Sequence, residues 1–393
     1  MQLPEHTLIA TPQRSDDGRR MELTFSHDIR PIYWELLEET TLAEPAFAPD
    51  LSADFALLAA LPMALRRGQD LHIAGEVCPI LMGHAENLVR FRVQLNPDET
   101  PRIIALSADR VHWRGGYDPD RPYLISLSGG VDSTQALDEN ARHGSRVPPS
   151  PLHRHLAAAL LVRGFDYPDQ PSAGFDHVSR LVQEQATRFG MDTVLVATNW
   201  KKVLSSQKGS WATGHILGLC TVHHLMAGRF GGGIFAANHN YANEYRKMAW
   251  GENGVVNAML SSGDFHIETR GSWLLRSQKL AELHRHDRLA DVSVCWAGPR
   301  TGRNCGECSK CHRTMMMMTG QDIPVRPLFP RTLRAWDVAK APAYNSVEYH
   351  ALKEIAACWS TDKARLLRFV LGAKIALAPL EMASYRVYRA LRG

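Results

Sequence analysis

The sequence predicts an α/β protein built on a doubly wound parallel sheet. An α+β domain precedes it and a helical tail follows. Three observations carry this reading. From Tyr123 onward short apolar runs alternate with helical patterns, as parallel βαβ units require. A glycine loop, Ser128-Gly129-Gly130, sits between one such run and the next helix. Four of the seven cysteines crowd between Cys295 and Cys311. The boundaries read from composition are 1–118 for the α+β domain, 119–325 for the sheet domain and 326–393 for the tail.

In chain order, residues 1–20 read as a loose leading segment. Residues 55–67 are densely apolar and end in Arg66 and Arg67, which suits a helix C-terminus. Alternation predicts strands at 70–78 and 88–95, and a further strand at 102–111. Glycines and prolines at 115–122 mark a joint. Strands are then expected at 123–127, 156–162, 193–198, 234–237 and 289–295. Helices are expected from Ser133 and at 178–189, 216–226 and 273–283. Met315, Met316, Met317 and Met318 predict a helix packed on all sides. The tail reads as helices at 347–358, 363–372 and 382–391, with Pro379 breaking the last pattern.

The chain has 393 residues, 45% apolar and 22% charged, enough for two or three ordinary globular domains. The net charge of +4 is mild. It argues against nucleic-acid binding by bulk charge and leaves room for a local basic groove. No apolar run reaches the ~18 residues of a membrane span, and no secretory leader is visible. The expected location is the cytoplasm, with no membrane partner. An odd number of clustered cysteines suits metal or redox chemistry better than a disulfide framework.

The string Ser128, Gly129, Gly130, Val131, Asp132, Ser133, Thr134 carries the sharpest chemistry. Two glycines let backbone N–H groups approach phosphate oxygens, and the helix N-terminus adds positive partial charge. Ser128, Ser133 and Thr134 add hydroxyl donors. Asp132 would repel a phosphate, so its carboxylate suits Mg²⁺ or a helix cap. The spacing C-x₉-C-x₂-C-x₂-C at Cys295, Cys305, Cys308 and Cys311 lets four thiolates close a tetrahedron on Zn²⁺, leaving no open position. An iron–sulfur cluster could use the same ligands. Arg276 and Lys279 lie one helical turn apart and, with Arg246, could meet phosphates or a substrate carboxylate; a solvated helix face is the plainer alternative. His215, Asn238 and His239 lie before a helix or past a strand end, where substrates of open sheets bind.

Ser128–Ser133 resembles the Ser-Gly-Gly-x-Asp-Ser signature of the PP-loop ATP pyrophosphatases, an adenine nucleotide alpha-hydrolase-like superfamily. Together with the cysteine cluster, residues 120–320 resemble the 7-cyano-7-deazaguanine synthase family. The resemblance implies that ATP is cleaved between its α and β phosphates and that a substrate carboxylate or carbonyl oxygen is adenylated. Ammonia or an amine then displaces AMP. It implies that Ser128–Ser133 cradles pyrophosphate and that Arg163 and Gly164 lie near the adenosine. The implied cofactors are ATP, Mg²⁺ and Zn²⁺. The partners are ATP and a small-molecule or peptide substrate, with a homodimer left open. The family lacks a domain like 21–115. Where it carries an Asp-Tyr-x-Gly-Tyr-Pro-Asp motif, this chain reads Asn238-His239-Asn240-Tyr241-Ala242-Asn243-Glu244-Tyr245-Arg246, so its substrate is not carried over. The alternatives are a PP-loop sulfur transferase and a nucleotide-binding module in a defence or biosynthetic complex. Cys220 lies in an apolar helix pattern and reads as inert, which favours nitrogen over sulfur. On this reading, Asp132→Ala abolishes pyrophosphate release and leaves the fold intact.

Overall fold

The computed structural model describes residues 4, 6–246, 249–295, 304–360 and 362–390. The chain forms two compact units. The first comprises 1–128, 136–171 and 179–273. The second comprises 129–135, 172–178 and 274–393.

The first unit is built on one ten-stranded sheet. Its strands are β1 (Leu8–Arg14), β2 (Arg20–Phe25), β3 (Ile32–Leu36), β4 (Leu71–Val77) and β5 (Leu106–Val111), then β6 (Tyr123–Ser126), β7 (Leu156–Arg163), β8 (Asp192–Thr198), β9 (Gly232–Ala236) and β10 (His266–Arg270). The helices are α1 (Asp54–Arg67), α2 (Pro79–Leu95), α3 (Val131–Gly144), α4 (Ala173–Arg188), α5 (Trp200–Ser206), α6 (Trp211–His224), α7 (Tyr241–Arg246) and α8 (Gly254–Ala258). The opening turns of α3 and α4 are grouped with the second unit.

The sheet runs β10-β9-β6-β7-β8-β3-β2-β1-β4-β5. The block from β10 to β8 is parallel. Counted from β6 along the chain, its order is that of open doubly wound sheets, with the switch between β6 and β9. β3, β2 and β1 continue the sheet antiparallel from β8, and β4 and β5 close it in parallel with β1. The sheet is thus α/β and mostly parallel. Strands from both sides of residue 118 share it, so the boundary read there from composition falls inside the first unit. Asn199 helps to splice the two parts: its Oδ1 accepts from the Tyr33 N–H at 2.9 Å and its Nδ2 donates to the Pro31 carbonyl at 2.9 Å.

Four local expectations are corrected. Residues 8–14, within the segment 1–20 read as loose, pair with 20–25 in a hairpin turned by Asp17 and by Gly18 at φ +69°. Residues 88–95 belong to α2. Leu81, Met82, Ala85, Leu88, Val89 and Arg92 are its buried positions, a 3.6-residue period that the shorter alternation had masked. Residues 289–295 form a single turn of 3₁₀ helix and then an extended segment with no strand beside it among the described residues. The tail helices at 363–372 and 382–391 are one helix, running through Pro379 on an exposed side where water can take the freed carbonyl. Residue 391 lies outside the described residues.

The second unit holds α9 (Arg276–Arg285), α10 (Ser309–Gly320), α11 (Ala335–Ala339), α12 (Ser346–Ala357) and α13 (Arg365–Ala390). Its core gathers Val131, Leu280, Leu283, Phe329, Leu352, Ile355 and Leu371 around the four methionines of α10, all of them buried as expected.

One close approach fixes the centre of the first unit's sheet. His223 on α6 is fully buried, and burial draws its imidazole down to about 3, so it is neutral. Its Nε2 meets the Ser126 hydroxyl at 2.7 Å. A Cβ on Gly233 would lie 1.8 Å from His223 Nδ1. Gly233→Ala must therefore push the ring aside and break this bond. We expect a loss of about 2–3 kcal/mol, measurable as a fall in the denaturation midpoint.

Candidate functional site

The glycine loop leaves the end of β6 and runs straight into α3, as the sequence order requires. Gly129 adopts φ +67°, a conformation a side chain would strain. The opening turn of α3 leaves N–H groups without intrahelical acceptors. Thr134 N–H and the Ser133 hydroxyl both turn back to the Gly130 carbonyl, at 3.0 and 3.3 Å. The Gly129 carbonyl accepts from Ser293 N–H at 2.7 Å. Val131 and Thr134 are fully buried and serve packing.

Asp132 stands in this turn with α9 opposite. One carboxylate oxygen pairs with Arg276 NH1, and the other takes Lys279 Nζ at 3.1 Å. Lys279 is only 1% exposed. Burial alone would raise the Asp132 carboxyl, but Arg276 and then Lys279 outweigh it and hold it below the ordinary carboxylate range. Lys310 adds to that field. Arg313 lies close to Arg276, and burial together with that like charge pushes its own pKa down. Arg276, Lys279 and Lys310 thus act on Asp132 in the opening turn of α3, and Arg313 stands near Arg276 with Glu348 also acting on it. The Asp132 carboxylate is engaged by two cations and is not presented to Mg²⁺. The residues present therefore do not fit Asp132 as a magnesium ligand.

The remaining sequence candidates lie in the first unit. Gly164, at φ +112°, follows β7, and a Cβ there would meet the Thr198 carbonyl oxygen at 1.9 Å. Close packing of the chain explains this glycine, and Arg163 ends the strand before it. His215 and Asn238 are brought together by Glu252, a buried acid outside the sequence motifs. Glu252 accepts from Asn238 N–H at 3.0 Å and from its side-chain amide, and stands 3.6 Å from His215 Nε2. His215 Nδ1 lies 3.1 Å from the Trp211 carbonyl, so it carries the hydrogen and Nε2 faces the acid. Trp250 packs between His215 and His239, with ring centroids 5.5 and 6.1 Å away. The only sequence cue to Glu252 was an acid inside a Gly251-Glu252-Asn253-Gly254 turn. Arg246 ends α7 on the surface, apart from this cluster.

The four cysteines form the second feature. Their sulfurs all lie within 4.8 Å of one another, with Cys295–Cys308 and Cys305–Cys311 each at 3.8 Å. A tetrahedron with Zn–S of 2.3 Å has edges of about 3.8 Å. The set can therefore hold one zinc ion, and a cluster several ångströms across would need the thiols farther apart. Gly306, at φ +73°, turns the chain between Cys305 and Cys308. The N–H groups of Glu307 and Cys308 donate to the Cys305 sulfur at 3.3 Å each. Asn304 was not singled out from sequence, yet its Oδ1 accepts from Val294 and Cys295 N–H at 2.7 and 3.2 Å. It holds the extended segment that carries the first cysteine, in place of a neighbouring strand.

Cys308→Ser should lower both zinc content and thermal stability, read by elemental analysis and calorimetry on the same preparation. Asp132→Ala does not leave the fold intact on this geometry, because it removes the acid that pairs with buried Lys279 and with Arg276. A cost of about 3–5 kcal/mol is expected. The sign with pH is also set. A carboxyl held low in the folded state stabilises above its unfolded value and loses that contribution as pH falls below about 4. Wild type should therefore lose stability in acid more steeply than Asp132→Asn, read as midpoint against pH. Comparison of the chain with protein-family models, with curated proteins and with solved structures gives no match.

Proposed function

We propose that the chain is an ATP-dependent, AMP-forming carbon–nitrogen ligase, with pyrophosphate held at the opening turn of α3. The observation that carries this reading is the glycine-led helix N-terminus, with Arg276 and Lys279 drawn onto Asp132 in its opening turn and Lys310 in the same field. A strand order with its switch beside β6 gives independent support, since open sheets bind ligands beyond such strand ends.

In the proposed reaction a carboxylate oxygen of the acceptor attacks the α phosphorus of ATP. The bond from that phosphorus to the bridging oxygen breaks, and pyrophosphate leaves with the electron pair. Arg276, Lys279 and the turn's N–H groups neutralise the charge that grows on it. Ammonia then attacks the acyl carbon, the carbon–oxygen bond to AMP breaks, and a proton passes to solvent. Asp132 is the positioning residue that fixes both cations. Thiol chemistry has less support. Burial pushes the Cys220 thiol well up, Cys358 is raised by the same cause, and the Cys78 sulfur accepts from Gly263 N–H at 3.2 Å. Neither Cys220 nor Cys358 is a ready thiolate.

The test is release of AMP and pyrophosphate from ATP in the presence of pooled carboxylate acceptors and ammonium. Acceptor-dependent release is expected, and Arg276→Ala should cut its rate by about 100-fold with the denaturation midpoint little changed. ATP bound without AMP formed from any acceptor would overturn the reading in favour of a nucleotide-binding module.

A further inference from the structure

A cavity of about 510 Å³ opens in the second unit beside α9. Small-molecule sites occupy about 300–1,000 Å³. One wall is α9, and the ends of α10 and α12 with the residues just past them make the rest. Leu275, Ala281 and Ile323 give it apolar sides. Ser277 and Cys358 stand together on it. Ser277 is fully buried, and its hydroxyl has the Cys358 sulfur, a weak acceptor, with no oxygen or nitrogen partner among the described residues. His284 and Arg285 are exposed at the mouth. Among the described residues no acid lines the cavity. Glu354 acts on the Cys358 thiol from one turn back on α12 and is not a wall residue.

We propose that this cavity binds a small carboxylate with an apolar body. The body lies against Leu275, Ala281 and Ile323, and the carboxylate meets Arg285 and His284 at the mouth. An inorganic anion would leave the apolar sides wet, and an amine would meet the Arg285 guanidinium. Burial raises the Cys358 thiol, so the walls offer no ready thiolate and the site binds without reacting. On α9, Ser277, Ala281, His284 and Arg285 fall within about 100° of arc. Arg276 and Lys279 lie about 150° round the axis from them and hold Asp132. A ligand here therefore braces, from behind, the helix that grips Asp132.

The experiment is titration calorimetry of the full chain with octanoate and benzoate, and with octanamide and benzamide, which keep the body and lose the charge. The acids should bind at one site, and the amides about 10-fold more weakly. Arg285→Gln should weaken the acids by about the same factor and leave the amides unchanged. Ala357→Trp fills the mouth and should remove binding of all four. Both replaced side chains are exposed, so the denaturation midpoint without ligand should hold. Bound octanoate should raise that midpoint in the wild-type chain. Absence of binding by either acid would overturn the proposal. So would amides that bind as well as the acids, or binding that survives Ala357→Trp. None of these outcomes depends on ATP turnover.

Discussion

A lysine with almost none of its surface in water must have a countercharge, and Lys279 has Asp132. Much of the second unit follows from that requirement. The acid comes from the opening turn of α3 and the amine from α9, so the pair ties two elements far apart in sequence. Burial disfavours the charged carboxylate, and Arg276 and Lys279 overrule it. The same acid cannot serve both these cations and a divalent metal, which is why a magnesium role for Asp132 does not survive the geometry.

Sequence reasoning succeeded where chemistry and local pattern coincide. The glycine loop followed by a helix, the parallel strands from Tyr123 onward and the cysteine spacing depend on short-range constraints, and each reappears in three dimensions. The failures have a common cause in context. In residues 88–95 two periods compete, and only the packing of Leu81 and Ala85 decides for the helix. Residues 289–295 have strand composition but no partner strand, and a side chain, Asn304, takes over the hydrogen bonds. Glu252 was passed over because its meaning depends on His215 and Asn238, which reach it only through folding. Arg276 and Lys279 were legible as a pair one turn apart, whereas the identity of their partner was not.

The cysteine cluster shows the same division of labour. The thiols are placed to within the edge length of a zinc tetrahedron, and their supports lie outside the motif. Asn304 braces the segment of Cys295. Arg331 pairs with Asp337 at 2.6 Å and reaches His312, the residue after Cys311, at 3.1 Å. Spacing rules find the ligands but not the struts, because struts can come from any part of the chain that packs nearby.

The splice between β8 and β3 has a consequence for the life of the protein before it is fully assembled. β8 is apolar and buried along nearly its whole length, Val194 to Ala197 included. Without β3 it would be the last strand of a parallel block and would show a row of open amides and carbonyls on a greasy ribbon. Such a ribbon recruits other chains. Residues 8–36 close it with three antiparallel strands that precede β8 in the chain, so they are made before the strand they protect exists. The strand that covers the edge of β8, β3, is therefore already in the chain when its client emerges.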